Sequence, residues 1–444
     1  MDPLWSLSAT ALAGEIARGA ASAEELARAC LDRVEQTEDA VRAFAHLDPA
    51  HVLAQARDLD EARRNGRPTG PLHGIPVGIK DIIDTADYAT EWGSQLLAGR
   101  RPSRDATVVS KLRAAGAVIF GKTVTTELAY RHPGPTRNPH DPERTPGGSS
   151  SGSAAAVAAA MIPLAIGSQT AGSIIRPAAF CGVFGMKPSH GLVSRTGVML
   201  HSRHLDHLGP YARTLDDIAL ILDVIAGYDP DDADTRPVAA PAFVRTAAER
   251  PPATPRLAFV RTPVWEKSDA EARAALETLA DELGDLIARY DLPEAFAAAW
   301  DAQRTIMSVD MAHRHAEFVA RGGEGASEPL REMVAQGRTV SAVQYLDALT
   351  LARRCAAALA EVFTYYDAII TPAATGVAPK GLGWTGDPVF NALWTLTGLP
   401  ALSLPILQGE NGMPLGVQLV GAAGHDARLL RTANWLLRIL AEKA

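Results

Sequence analysis

The chain has 444 residues, 47% hydrophobic and 21% charged, ordinary values that exclude a disordered, collagen-like or low-complexity chain. Its 43 basic and 51 acidic residues leave a net charge of −8, so no overall basic field exists to hold a nucleic acid or an anionic membrane. Length alone would allow roughly three domains, although large α/β enzymes fold this much chain around one sheet.

The amino terminus, Met1-Asp2-Pro3-Leu4-Trp5, carries an acid where a signal peptide needs a base, and no apolar stretch follows; a cytoplasmic protein is expected. Cys30, Cys181 and Cys355, odd in number and widely spaced among apolar neighbours, fit reduced thiols rather than a disulfide frame or zinc site. Ser8 precedes Leu12 and Ile16 at helical spacing, and Ser22-x-x-Glu25 has the form of a capping box ahead of Leu26, Cys30 and Val34. Two amphipathic helices therefore open an N-terminal arm over residues 1–65. From Gly70 the texture changes to short apolar runs punctuated by Gly and Pro. Gly74 to Lys80 and Ala117 to Phe120 read as strands, with a helix from Thr107 to Ala115 between them, the alternation of an α/β sheet.

The most apolar run, Ala154 to Ile166, is mostly alanine, is broken by Pro163 and falls short of the ~20 residues a membrane helix needs; it reads as a buried helix. Pro and Asp crowd residues 229–263, a surface connection ending in a strand from Leu257 to Val260. A helical insert over about 265–360 follows, with Ala272, Leu276, Leu279 and Leu283 at helical spacing and a glycine-rich loop at Gly322 to Gly325. Strands at Ala368 to Ile370, Ala401 to Leu404 and Gly416 to Val420, then a helix from Asp426 to Ala441, return the chain to its core. The expected organisation is one domain over 1–444, with a catalytic α/β core from 66–228 and 365–444.

The chemistry centres on Pro146-Gly147-Gly148-Ser149-Ser150-Ser151-Gly152-Ser153, which runs straight into an alanine-rich helix. A flexible linker is one reading. A phosphate loop would need Gly-Lys-Ser/Thr, and no cation is present. Gly148-Ser149-Ser150-Ser151-Gly152 also fits the Gly-x-Ser-x-Gly elbow, with Ser150 as nucleophile. That elbow requires a strand directly before it, and the Pro- and charge-rich stretch from Arg137 to Pro146 cannot supply one. Downstream lies a second small-residue turn, Gly167-Ser168-Gln169-Thr170-Ala171-Gly172-Ser173-Ile174-Ile175-Arg176-Pro177, followed by Phe180-Cys181-Gly182-Val183-Phe184-Gly185-Met186-Lys187-Pro188.

Taken in order with Gly74 to Lys80, Gly121-Lys122-Thr123, Leu205-Asp206, Gly209-Pro210, Gly398 to Ala401 and Gly416 to Gly421, these motifs make the chain resemble the amidase signature family of serine amidohydrolases. The resemblance implies a large mixed sheet flanked by helices and a cofactor-free, metal-free hydrolysis of a small carboxamide. It matches Ser173 to the nucleophile, Ser149 to a bridging serine on a non-proline cis peptide, and Lys80 to the general base. A serine hydroxyl is a poor nucleophile until a neighbour takes its proton. A lysine does so only when burial lowers its pKa by roughly three units. The backbone N–H groups of Thr170, Ala171, Gly172 and Ser173 match the oxyanion hole, where such donors are worth ~3 kcal/mol each. Ala171 departs from the commoner glycine, which puts that geometry in question.

Gln169-Thr170 and the two isoleucines before Arg176 are closest to the malonamidase-like branch, in which the arginine three residues after the nucleophile binds the substrate carboxylate. Guanidinium suits that task through paired hydrogen bonds; Arg176 could equally brace the loop. Asp387-Pro388 and Leu393-Trp394-Thr395 are also similar to that branch. His201, His204, Asp206 and His207 have no familiar zinc spacing, and no metal is expected. Two other substrate readings stay open: an aryl or peptide amidase with an apolar pocket, and an amidotransferase subunit passing ammonia to a partner. The resemblance also implies a homodimer, with the N-terminal helices as a contact.

Overall fold

Ser8 and Ser22 begin the first two helices as their spacing predicts. Ser8 accepts a hydrogen bond from Ala11 N, and Ser22 and Glu25 form a complete capping box. In the computed structural model, which describes residues 2–443, these helices span Ala9–Arg18 and Ala23–Val41 and turn Leu12, Ile16, Leu26 and Cys30 into the core. The arm also contains a helix, Pro49–Arg64, and a short strand that joins the sheet.

The described residues contain eleven strands in one sheet: β1 (Phe44–His46), β2 (Pro76–Lys80), β3 (Val118–Thr123), β4 (Leu164–Gln169), β5 (Phe184–Lys187), β6 (His207–Ala212), β7 (Leu257–Arg261), β8 (Ile287–Asp291), β9 (Ala368–Pro372), β10 (Ala401–Gln408) and β11 (Pro414–Val420). Their order is β1-β3-β2-β4-β6-β5-β10-β11-β9-β7-β8. β2 runs parallel to both β3 and β4, and β7 runs parallel to β8 and β9; the strands between these blocks pair antiparallel, so the sheet is mixed as expected. Every residue of β2, β3 and β4 is buried, because helices cover both faces of the parallel block.

Two expectations need correction. The alanine-rich run is not one buried helix: Ser151–Ala158 is helical, the chain turns at Ala160 with φ 55°, and β4 starts directly after Pro163. Proline cannot continue a helix and readily precedes a strand, so Pro163 keeps the helix from running on into β4, and the break itself comes earlier, at Ala159 and Ala160. The helical insert holds helices Ala270–Leu283, Ala299–Gly322, Glu328–Thr339 and Ala342–Val362, but also β8, which pairs with β7 at the sheet edge. Its residues are half-buried or exposed, so they lack the apolar run that marks an inner strand.

Candidate active site

β2 ends at Lys80 and β4 at Gln169, and because these two strands are parallel neighbours their carboxyl ends lie side by side. The turn after β4 carries residues 170–174, and the loop entering the helix Ser151–Ala158 carries residues 147–150. Lys80 is fully buried, and its Nζ lies 2.7 Å from Ser149 Oγ, 2.8 Å from Ser168 Oγ and 2.9 Å from Ser150 Oγ. Burial drives its pKa well below the ordinary 10.5, and the carboxylate of Asp206 opposes that shift. The peptide bond between Gly148 and Ser149 is cis. Gly147 stands at φ 81° with no room for a side chain, since a Cβ would sit 2.8 Å from Pro177 Cα.

The hydroxyls around Lys80 can be assigned by counting donors. Ser150 donates its proton to the Ser168 carbonyl (3.1 Å) and accepts from Ser168 N (3.1 Å), so towards Lys80 its oxygen is an acceptor. A neutral amine has two N–H donors and one lone pair. Were the amine neutral, donating to Ser150 and Ser168 would leave its lone pair for the Ser149 proton. Ser149, unlike Ser150 and Ser168, lines the adjoining cavity. No strand precedes Ser150, so the Gly-x-Ser-x-Gly match is accidental, yet the residue borders the buried amine.

That cavity, about 450 Å³, is also lined by Thr170, Ala171, Ser173, Arg176 and His201. Among the described residues no hydrogen bond joins Ser149 Oγ to Ser173 Oγ, although both open on the same space. Tyr211 Oη donates to the Ser173 carbonyl (3.0 Å) and fixes the backbone there. The turn is held from within: Gln169 Oε1 accepts from Ile174 N (2.8 Å) and Ile175 N (3.0 Å), and Thr395 Oγ1 donates to the Ala171 carbonyl (2.7 Å). By contrast, the N–H groups of Thr170, Ala171, Gly172 and Ser173 donate no hydrogen bond among the described residues. Ala171 takes no left-handed backbone angle, so a methyl group is accommodated there. Gly172 is the residue that admits no side chain, because a Cβ would meet Asn391 Oδ1 at 2.4 Å.

Arg176 is buried in the first turn of the helix Ile175–Cys181. Its Nη2 donates to the Gly148 carbonyl (2.6 Å) and Thr385 Oγ1 (3.4 Å), while Nε and Nη1 are buried without partners. Burial brings its pKa down to about 10, opposed by Asp387, and leaves it cationic at neutral pH. The histidines separate. His201 is buried at the cavity with Nδ1 3.2 Å from His315 Nε2, His204 is exposed, and His207 sits in β6 with Nδ1 2.7 Å from the Leu205 carbonyl. Asp206 accepts from Thr170 Oγ1 (2.6 Å), His201 N (2.6 Å) and Ser202 N (3.1 Å), tying this loop to the turn after β4. Among the described residues no group of His, Cys, Asp and Glu is arranged to hold a metal ion. No helix there is long and apolar enough to cross a membrane.

Sequence reasoning missed Ser150, Ser168 and Gln169 as supports of the site, and the helix Ala299–Gly322 as a cavity wall through Trp300, Gln303, Arg304 and Met307. Only their three-dimensional placement reveals these roles.

Known proteins resemble this chain over nearly its whole length. The chain is 37% identical to the A subunit of the glutamyl-tRNA(Gln) amidotransferase of Chloroflexus aurantiacus, across 99% of this chain and 98% of the relative. It superposes with a TM-score of 0.91 on a vestigial protein complex that reveals the evolutionary origins of an s-triazine catabolic enzyme, at 29% identity and 99% coverage of both chains. The native peptide amidase of Stenotrophomonas maltophilia superposes with a TM-score of 0.85 at 30% identity, covering 98% of this chain and 97% of that one. A family model described as Amidase matches residues 25–430. The chain therefore belongs to the amidase signature family, hydrolases that cleave amide C–N bonds.

Proposed function

We propose that the protein hydrolyses a small carboxamide bearing a carboxylate, through a relay from Lys80 to Ser149 to Ser173. The observation that carries this reading is the buried amine of Lys80, whose neighbour Ser149 opens onto a cavity shared with Ser173 and Arg176. A lysine kept neutral by burial accepts the Ser149 proton while Ser149 takes that of Ser173, and Ser173 Oγ attacks the amide carbon. The Ser149–Ser173 contact closes when substrate is bound, as catalytic hydrogen bonds commonly do. The carbonyl oxygen, now an oxyanion, is met by the unengaged N–H groups of residues 170–173. Collapse breaks the C–N bond, the relay returns its proton to the leaving ammonia or amine, and water hydrolyses the Ser173 ester. No metal or cofactor enters these steps. The unpartnered Nε and Nη1 of Arg176 favour a carboxylate on the substrate, because buried N–H groups left without acceptors are costly.

A second reading is favoured by the apolar part of the same cavity, where Trp300, Met307 and Trp384 would suit an aryl or peptide amide. A third follows from the amidotransferase relatives, whose likeness would make this chain one component of a complex. Ammonia and amine release from malonamate, carboxylated ureas, neutral aliphatic amides and an anilide, with Ser173→Ala as blank, separates them. Turnover confined to carboxylated members supports the proposal. Turnover of the anilide and neutral amides transfers the reading to the apolar pocket. A second chain that co-purifies with the protein and is required for turnover transfers it to the amidotransferase.

A further inference from the structure

Arg176 is not the cavity's only cation. Arg131, Lys267 and Arg304 also line it, against the carboxylates of Asp301 and Asp387, so four positive groups face two negative ones in a protein of net charge −8. Arg131, Lys267 and Arg304 are exposed, which places them at the mouth, whereas Arg176 and Ser149 are buried at the floor. None of these three takes part in an ion pair among the described residues. Arg131 and Arg304 gather about one side chain. The Arg131 guanidinium stands 5.7 Å from the centre of the Tyr130 ring, and Tyr130, its pKa raised by burial, feels both arginines as opposing charges and the carboxylate of Glu332 as a smaller influence the other way. Arg304 reaches only a neutral partner, Gln336 Oε1 at 3.4 Å. Other exposed arginines in this chain do pair with acids, as Arg203 with Asp234 and Arg321 with Glu317. Unpaired cations around a concave mouth focus positive potential into it and raise the local concentration of anions.

We propose that Arg131 and Arg304, with Tyr130 between floor and solvent, form a second anionic subsite, and that the substrate is an amide carrying two acidic groups. One is held at the floor by Arg176 and the other at the mouth. This inference rests on the amide-hydrolase reading only for the identity of the reacting group; recognition of two acids is a separate property and is measured separately. Ligands with a single acid satisfy Arg176 and leave the mouth hydrated.

Isothermal titration of the wild-type protein with a homologous series of monocarboxylates, and with dicarboxylates of matched length, tests the subsite without turnover. The added acid tightens binding about tenfold at low ionic strength, a modest gain because exposed pairs are screened, and the gain shrinks as salt is added. In Arg131→Gln/Arg304→Gln the ratio of the two dissociation constants falls to about one, and Arg131→Lys/Arg304→Lys restores part of it. A ratio near one in the wild type, or one that survives the double glutamine substitution, overturns the proposal. Carboxamides bearing one or both of these acids, assayed for kcat/KM, make the other reading fail independently. A series that binds with the expected ratio but is never cleaved leaves the subsite standing and removes the amide chemistry, whereas cleavage without the ratio does the reverse.

Discussion

Replacing Lys80 by methionine fills nearly the same volume and removes the proposed base, and two measurements respond in linked ways. General base catalysis contributes about 10²–10⁴-fold, so kcat/KM falls by that factor, about 3–5.5 kcal/mol of barrier. The second effect concerns stability. In the unfolded chain Lys80 titrates near its ordinary 10.5, whereas in the fold burial holds it well below that value. Between the two pKa values the unfolded state binds more protons, so stability rises with pH. The penalty for burying the amine is complete below the folded pKa and gone above 10.5. Wild type therefore gains on Lys80→Met by up to about 1.4 kcal/mol per pH unit across that window. Urea denaturation of both proteins at several pH values up to 10.5 measures the gain, and kcat/KM of the wild type rises through the folded pKa as the amine loses its proton. A stability difference independent of pH would refute the buried neutral lysine; a variant that keeps wild-type kcat/KM would refute its role as base.

The other predictions concern the pieces around the relay. Arg176→Gln lowers kcat/KM for carboxylated amides by about 10–100-fold, the worth of one charge-assisted hydrogen bond, and lowers it much less for neutral amides; equal losses in a steady-state comparison assign Arg176 to bracing the Gly148 carbonyl. Gly172→Ala drives a methyl group to within 2.4 Å of Asn391 Oδ1 and reduces kcat at least tenfold with little change in melting temperature, while Gly383→Ala, with nothing within 4 Å of the new atom, matches wild type in both assays. Gly337→Ala acts on stability instead. Its Cβ would lie 1.9 Å from the Ser308 carbonyl, so the helices Ala299–Gly322 and Glu328–Thr339 separate and urea denaturation reports a loss of about 1–3 kcal/mol.

What the sequence made legible follows the range of the interactions. Caps act over three residues, so Ser8, and Ser22 with Glu25, were readable, as were strands bounded by glycine and proline such as β2 and β9. The run from Ala154 to Ile166 misled because alanine has no periodicity that separates helix from strand, and only Pro163 marked the boundary. β8 was hidden because an edge strand with exposed residues has no inner-strand pattern. At the site, Lys80, Ser149 and Ser173 stood out through the family's motifs. Their supports did not: Ser150 and Ser168 meet across 18 positions only because the helix start packs over β4. Gln303 and His315 reach Thr170 and His201 from a helix more than a hundred residues away, and no local pattern announces that.

Reaction and selection occupy different parts of the molecule. Lys80, Ser149, Ser168 and Ser173 belong to strand ends and turns of the buried parallel block, whereas Trp300, Arg304 and Met307 belong to one helix and Trp384 to one loop. Such an arrangement would let the pocket vary while the relay stays fixed, were the two parts independent. Hydrogen bonds couple them. Gln303 Nε2 donates to the Thr170 carbonyl (3.1 Å), Ser202 Oγ donates to Asp310, which also accepts from Tyr345 Oη (2.7 Å), and His201 meets His315. Through Asp206 these bonds converge on Thr170, the first residue of the turn whose N–H groups are proposed to meet the oxyanion. Oxyanion donors act by being aimed before the reaction, and displacement of a fraction of an ångström weakens them. A shift of the helix that enlarged the pocket would therefore also move Thr170, so residues 303, 310 and 315 have to keep their bonds while residues 300, 304 and 307 are free to change with the substrate.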